Sequence, residues 1–262
     1  ADAFARDYPV AHRHASYEAL AQDPDVDAVY IATPHPMHKD NTLLCLDHGK
    51  AVLCEKPFAM NLGEVDTMIE AARARKLFLM EAMWTQCFPA MLKMQELIQE
   101  GAIGDVSLVQ ANFCFRSGWN PEGRLLNSAL GGGALLDVGV YNVAFAQKVF
   151  GTMPERIVAM ADIGETQVDE KATAILGYAG GATAVLTAAV RTSTPHEAVV
   201  YGTDGSIKVP NLFWQPDRII VNRAGKDEEM TFPRLGNGYS FEAEEVHRCL
   251  QEGRTESTII SP

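Results

Sequence analysis

At 262 residues, 47% of them apolar, the chain can bury a full hydrophobic core and is long enough for one large domain or two modest ones; two are expected. A net charge of −12 spread without an acidic tract argues against nucleic acid or an anionic membrane as partner and leaves small molecules. Five scattered cysteines without a C-x-x-C pair fit thiols in a reducing cytoplasm better than a disulfide framework.

No apolar run approaches the roughly 20 residues that span a bilayer, and no charged-then-apolar leader opens the chain, so a soluble protein is expected. The opening at Ala1 inside the helix-like ADAFARDY, and the abrupt end at Ser261-Pro262, read as a truncated record.

From Ser16 to about Met83, strand-like and helical runs alternate, the pattern of a parallel sheet with crossover helices. Ser16 with Ala19 and Leu20 starts a short helix. Ala28 to Ala32 form a buried-type strand ending at Thr33-Pro34, and a helix over 37–48 follows, closed by Gly49. The strand Ala51-Val52-Leu53-Cys54 runs into Glu55-Lys56-Pro57. Asn61 can cap a helix whose Val65, Met68, Ile69 and Ala72 recur at helical spacing, and a third strand occupies 77–81.

After a helix over about 88–100 the character changes. Val106 to Phe115 is a long strand pattern, and 155–232 carries β-type runs between glycine-rich turns, as in an antiparallel or mixed sheet. Between them lie a loop at 117–133 and a helix from about Ala134 to Val149. A last amphipathic helix covers about 239–251. The fold class is therefore α/β: a parallel-sheet domain with crossover helices over 1–83, followed over 84–262 by an α+β domain with a mainly antiparallel or mixed sheet.

Lys56 stands at the carboxyl end of a strand, where open α/β sheets place their chemistry, and Pro57 restricts the backbone before it. It reads equally as an ordinary surface lysine. The segment GGGALLDVGVY at 131–141 supplies possible partners: the glycines permit a tight backbone approach, and Asp137 and Tyr141, four apart, share one helical face. The plain alternative is a core tyrosine and a helix-start carboxylate. A phenol ordinarily titrates near pH 10, so for proton transfer near neutrality it needs a cation that favours phenolate, and Lys56 is the candidate.

Thr33-Pro34-His35-Pro36-Met37-His38 leaves a strand and enters a helix, where amides and ring nitrogens can meet ribose or phosphate oxygens. Two histidines three apart also raise a metal, which is discounted because no third ligand follows at a recognisable spacing. Trp84, Phe113, Trp119 and Trp214 are candidate pocket walls. Arg124, in the loop before the glycine run, can reach a hydroxylated substrate or simply be solvated.

With Glu-Lys-Pro, the ATPHPMH segment and GGGALLDVGVY, the chain resembles the glucose-fructose oxidoreductase / inositol dehydrogenase / MocA family over nearly its whole length. EAMWTQCFP, NLFWQPDRI and GNGYSFEAEEVHRCLQEG look most like the dimeric dihydrodiol dehydrogenase and NADP-dependent xylose dehydrogenase branch. The resemblance implies a partial Rossmann domain over 1–83 and, over 84–262, a domain whose open sheet serves substrate binding and dimerisation; it also implies NAD or NADP, NADP being the branch expectation, and a homodimer through the second-domain sheet. It also implies catalytic Lys56, an acid/base tyrosine at Tyr141 and a substrate-side carboxylate at Asp137. Thr33, Pro34, His35, His38, Glu55 and Lys56 would line the cofactor, and Trp84, Phe113, Arg124, Asp137 and Trp214 the substrate.

The family's first strand and G-x-G-x-x-G turn precede the first residue, so this chain alone is expected to hold cofactor poorly. The leading expectation is hydride transfer between a nicotinamide and a secondary alcohol or carbonyl of a sugar or cyclic trans-diol. A non-catalytic sugar-binding or regulatory member is the alternative. A hydrolase or transferase lacks its nucleophile elbow, since no G-x-S-x-G occurs.

Overall fold

The structure, a computed structural model, describes residues 1–261. The chain divides into two compact units. The first contains Ala1–Ala82 and the segment from Val246 onward, the second Met83–Glu245. The sequence reading placed everything from 84 to the end in one domain; the segment from Val246 returns instead to the first unit. There the Thr255 carbonyl accepts from the Leu79 amide at 3.2 Å and Glu256 pairs with Arg73 at 2.8 Å.

In the first unit, α1 (Asp2–Asp7) and α2 (Tyr17–Ala21) precede a parallel sheet of β1 (Ala28–Ile31), β2 (Ala51–Glu55) and β3 (Leu79–Ala82), in that spatial order. The central strand β2 is buried on both faces from Ala51 to Cys54, which is why it reads as an unbroken apolar run, whereas the outer β1 alternates. Helices α3 (His38–Asp47) and α4 (Leu62–Arg75) make the crossovers. Asn61 caps α4 by accepting from the Glu64 amide at 3.1 Å, and Glu64 reaches back to the Met60 amide at 3.2 Å. Val29, Ile31, Leu46, Val52, Cys54, Met68 and Leu79 form the core beneath.

The second unit holds α5 (Pro89–Gln99), β4 (Val106–Cys114), α6 (Val140–Phe150) and then β5 (Arg156–Ile163), β6 (Asp169–Gly177), β7 (Thr183–Ala189), β8 (Ala198–Gly202), β9 (Gly205–Val209), β10 (Arg218–Arg223) and β11 (Lys226–Thr231). One eight-stranded sheet runs β11-β10-β9-β8-β4-β7-β6-β5, antiparallel except where β4 lies parallel to β7. The last helix, α7, is Ser240–Gln251. Helix α6 lies against β4 and β7, and small residues let it approach. A Cβ on Gly139 would stand 3.3 Å from that of Ala188.

The helical stretch Ser128–Phe150 is long and apolar enough to cross a bilayer, which corrects the expectation that no run approaches that length. Its most apolar window is 61% buried inside the protein, which makes it a core element of the second unit.

Candidate active site

In the first unit the carboxyl ends of β1 and β2 carry the residues singled out for a cofactor. After β1 the chain turns at Thr33-Pro34 into a short 3-10 helix, His35–Met37, that feeds α3. His38 is fully buried, with one ring nitrogen 2.8 Å from the Thr33 carbonyl and the other 2.8 Å from that of Pro57. It therefore straps the loop after β1 to the loop after β2. A neutral ring donates to one of these carbonyls, a protonated ring to both. His35 sits edge-on to it, ring centres 5.8 Å apart, and the Asn41 amide donates to the Thr33 hydroxyl at 3.1 Å.

At the end of β2, Glu55 accepts from the Tyr30 hydroxyl and, at 3.0 Å, from the Lys56 amide. The Lys56-Pro57 bond is cis. Glu81 on the neighbouring strand accepts from the Phe58 amide at 3.1 Å. Burial pushes its carboxyl up to about 7; the Phe58 amide and the Lys56 charge pull it down, and Glu55 pushes it further up. Glu81 is thus a titratable group beside Lys56 that the sequence reading missed.

The donors and acceptors of these loops are of the kind that a dinucleotide's ribose and phosphate oxygens can meet. Ala32 and Pro34 are exposed, with half-buried Thr33 between them, at the carboxyl end of a parallel sheet, where open α/β sheets bind such ligands.

The second unit holds the residues expected from the sequence to face the substrate. Helix α6 is entered through one π-type turn, Leu135–Gly139, a widened turn common at functional sites. Asp169 on β6 anchors it, its carboxylate accepting from the Leu135 amide at 2.7 Å. Burial raises the Asp169 carboxyl and backbone hydrogen bonds oppose that shift. Asp137 is 3% exposed and paired with Arg124, whose own side chain is largely in solvent.

Tyr141 is 6% exposed, and the Trp84 indole N–H donates to its phenol oxygen at 2.9 Å. Phe113 lies 5.4 Å from the Tyr141 ring and stacks on Trp214 with centres 3.8 Å apart and planes at 8°. The Thr85 hydroxyl donates to the Trp214 carbonyl at 2.6 Å, which ties the Trp84 turn to this wall.

So Trp84, Tyr141, Phe113 and Trp214 form one connected group and Arg124 pairs with Asp137, one turn before Tyr141, whereas Trp119 is half-exposed under the Arg191 guanidinium. Two further wall residues escaped the sequence reading. Tyr239 stacks on Trp84 at 4.3 Å, and His196 packs against both Phe113 (5.3 Å) and Trp214 (4.9 Å) while its ring N–H donates to the Cys114 carbonyl. Tyr239 stood within the GNGYSFE segment already noted; nothing local marks His196.

Residues 1–83 match the description "Oxidoreductase family, NAD-binding Rossmann fold", and residues 91–208 match "GFO/IDH/MocA C-terminal domain". Trans-1,2-dihydrobenzene-1,2-diol dehydrogenase of Xenopus tropicalis is 42% identical over 267 residues, covering 98% of this chain and 80% of its own. Aldose-aldose oxidoreductase from Caulobacter crescentus, solved with glycerol, superposes with a TM-score of 0.89 at 25% identity, over 99% of this chain and 80% of that one. A 3-ketoreductase from Actinomadura kijaniata, solved with NADP and TDP-benzene, gives 0.85 at 25% identity, over 97% and 78%. A strand-end lysine on one unit and a tyrosine on the sheet-backed helix of the other thus fall within two matched halves, and the chain belongs to the GFO/IDH/MocA oxidoreductase family as an NAD(P)-dependent dehydrogenase acting on CH–OH groups.

Proposed function

We propose that this enzyme oxidises a secondary alcohol of a cyclic trans-diol or a sugar, or reduces the corresponding carbonyl, with Tyr141 as the proton carrier and Lys56 as the cation that tunes it. The observation that carries this reading is the hydrogen bond from Trp84 to the Tyr141 oxygen inside an aromatic wall. An indole N–H can only donate. It occupies a lone pair of the phenol oxygen and stabilises the phenolate, the form that accepts a proton from a substrate hydroxyl.

The nicotinamide, when bound, accepts or donates the hydride. The chain's part is orientation and proton handling. The stacked faces of Phe113–Trp214 and Trp84–Tyr239 suit the flat apolar side of a six-membered ring. Asp137, fixed by Arg124, would accept from a second hydroxyl of the substrate. A vicinal diol offers both hydroxyls, in keeping with the dihydrodiol dehydrogenase relative. NADP is the favoured cofactor, in line with the ketoreductase neighbour solved with it. We place the enzyme in a reducing cytoplasm, consistent with five cysteines that are all buried thiols. Its partner is a second copy across the open sheet of the second unit.

The test is steady-state turnover of trans-cyclohexadiene diols and aldopentoses, followed by NADPH absorbance, in wild type and Tyr141→Phe. Phe keeps the ring and loses the proton, so kcat falls by about 10²–10⁴ while KM for NADP is unchanged. A kcat near the wild-type value would remove Tyr141 from the chemistry.

A further inference from the structure

Away from the residues discussed so far, two imidazoles and a carboxylate converge where residues 12–14 meet the turn that follows α2. His12 Nδ1 lies 2.5 Å from Asp23 Oδ2, and His14 Nε2 lies 3.0 Å from that same oxygen. All three ligand atoms fall within 4.8 Å of one another. The sequence reading weighed a metal only at His35 and His38 and passed over this group, because Asp23 joins the two histidines from nine residues further along the chain, across a helix.

The character of the contacts is informative. His14 Nε2 is buried and makes no hydrogen bond among the described residues, although a carboxylate oxygen stands 3.0 Å away, so the two atoms are close but not aligned for proton sharing. A nitrogen lone pair and a carboxylate oxygen facing a common space make a donor pair for a cation. Asp23 itself is only 7% exposed.

The surroundings supply the outer layer that a metal site requires. Nε2, the other nitrogen of His12, points toward Asp25, 3.7 Å from its Oδ2, which gives a carboxylate–imidazole–ligand chain. The Asp25 amide donates to Asp23 Oδ1 at 2.9 Å and so fixes the orientation of the ligating carboxylate. The Lys50 ammonium, nearly buried, donates to the carbonyls of Asp23 and Val26 at 2.6 and 2.7 Å and holds the turn.

We infer that His12, His14 and Asp23 bind a divalent transition metal of the zinc class. Two imidazoles and one carboxylate are the donors of zinc, nickel or copper, and not of calcium or magnesium, which take oxygen shells. Tetrahedral zinc, with bonds of about 2.0–2.2 Å, sets its ligand atoms about 3.3 Å apart. The two separations from Asp23, 2.5 and 3.0 Å, widen by less than about 1 Å to reach this value, and the half-exposed His12 ring can make that movement. Water completes the coordination. The metal ties residues 12–14 to the α2–β1 turn, and binding only the folded state, it raises stability.

The metal-stripped full chain is titrated with zinc chloride by calorimetry and with cobalt(II) by visible absorption. The expected result is uptake of zinc with a dissociation constant of about 10 µM or tighter, tetrahedral cobalt bands, and a higher Tm with zinc. The His14→Ala and Asp23→Asn variants lose one equivalent of zinc, the cobalt bands and the Tm increment. Asn keeps the Oδ1 acceptor for the Asp25 amide, and His12→Ala, at a half-exposed position, is a third variant that leaves the fold undisturbed. Zinc stoichiometry and affinity unchanged in these variants, or no uptake at roughly 100 µM zinc, overturns the site.

Discussion

Glu81 and Lys148 each combine a charge with burial, and both make stability depend on pH. Glu81 has its carboxyl pushed up to about 7, above the unfolded value of 4.5. Its contribution to stability is therefore complete below pH 4.5 and is lost as the pH rises through 7, when the folded state must accommodate the charge beside Glu55. The loss is on the order of 3 kcal/mol. Glu81→Gln keeps an acceptor for the Phe58 amide and cannot ionise. Urea denaturation between pH 5 and 8 is expected to give a falling midpoint for wild type and a flat one for the variant; parallel curves would show that another group titrates. Lys148 on α6 is the converse: burial lowers its ammonium to about 8, so stability rises as the pH climbs from about 8 to 10.5. Lys148→Met removes that rise and is more stable than wild type at pH 7, a difference readable in Tm. Neither shift is visible in the sequence, because each arises from neighbours brought in by the fold.

At the scale of elements, the stretch 131–150 decides whether Asp137 and Tyr141 face the same space. Gly132 permits its entry. A Cβ there would stand 2.9 Å from the carbonyl oxygens of both Leu125 and Asn127, backbone atoms that cannot step aside. Gly133 has φ of +120° and would drive a Cβ into the Asp169 carboxylate that caps the Leu135 amide. Gly132→Ala is expected to cost about 1–3 kcal/mol and lower Tm by several degrees. It should also lower kcat by tenfold or more at temperatures where the protein stays folded, because the helix bearing Tyr141 is displaced. An unchanged Tm in calorimetry would mean that the loop yields.

The sequence made this helix legible, and with it the strands β1 and β2 and the Asn61 cap, since each is written in neighbouring residues: a glycine run, an apolar run, an asparagine before a helical period. The π-type turn was not legible, and the carboxylate that holds its Leu135 amide, Asp169, comes from another strand. The wall residues Tyr239 and His196 were missed for the same reason. They arrive from loops far along the chain, and no spacing rule joins them to Trp84 or Phe113.

For the whole molecule, the open sheet is the unresolved surface. Its two edges differ in kind. Strand β11, Lys-Asp-Glu-Glu-Met-Thr, is charged and exposed, which blocks pairing along that edge. Strand β5 is exposed along its entire length yet carries Ile157, Val158, Met160 and Ile163. Val158 is in register with Ile175 of β6, and Ile175 with Val185 of β7, so an apolar patch continues inward from Met160 across three strands. Met160 is 81% exposed and Val158 57%, a contiguous apolar patch of the kind that marks an interaction site. The homodimer proposed above would use this face, since a two-fold axis pairs the same patch with itself. Sedimentation velocity at micromolar concentration is expected to give a dimer for wild type. The double variant Val158→Asp, Met160→Asp, which sets like charges against each other across that axis, should sediment as a monomer with its circular dichroism intact. A wild-type monomer, or a variant that still dimerises, would move the interface off this face.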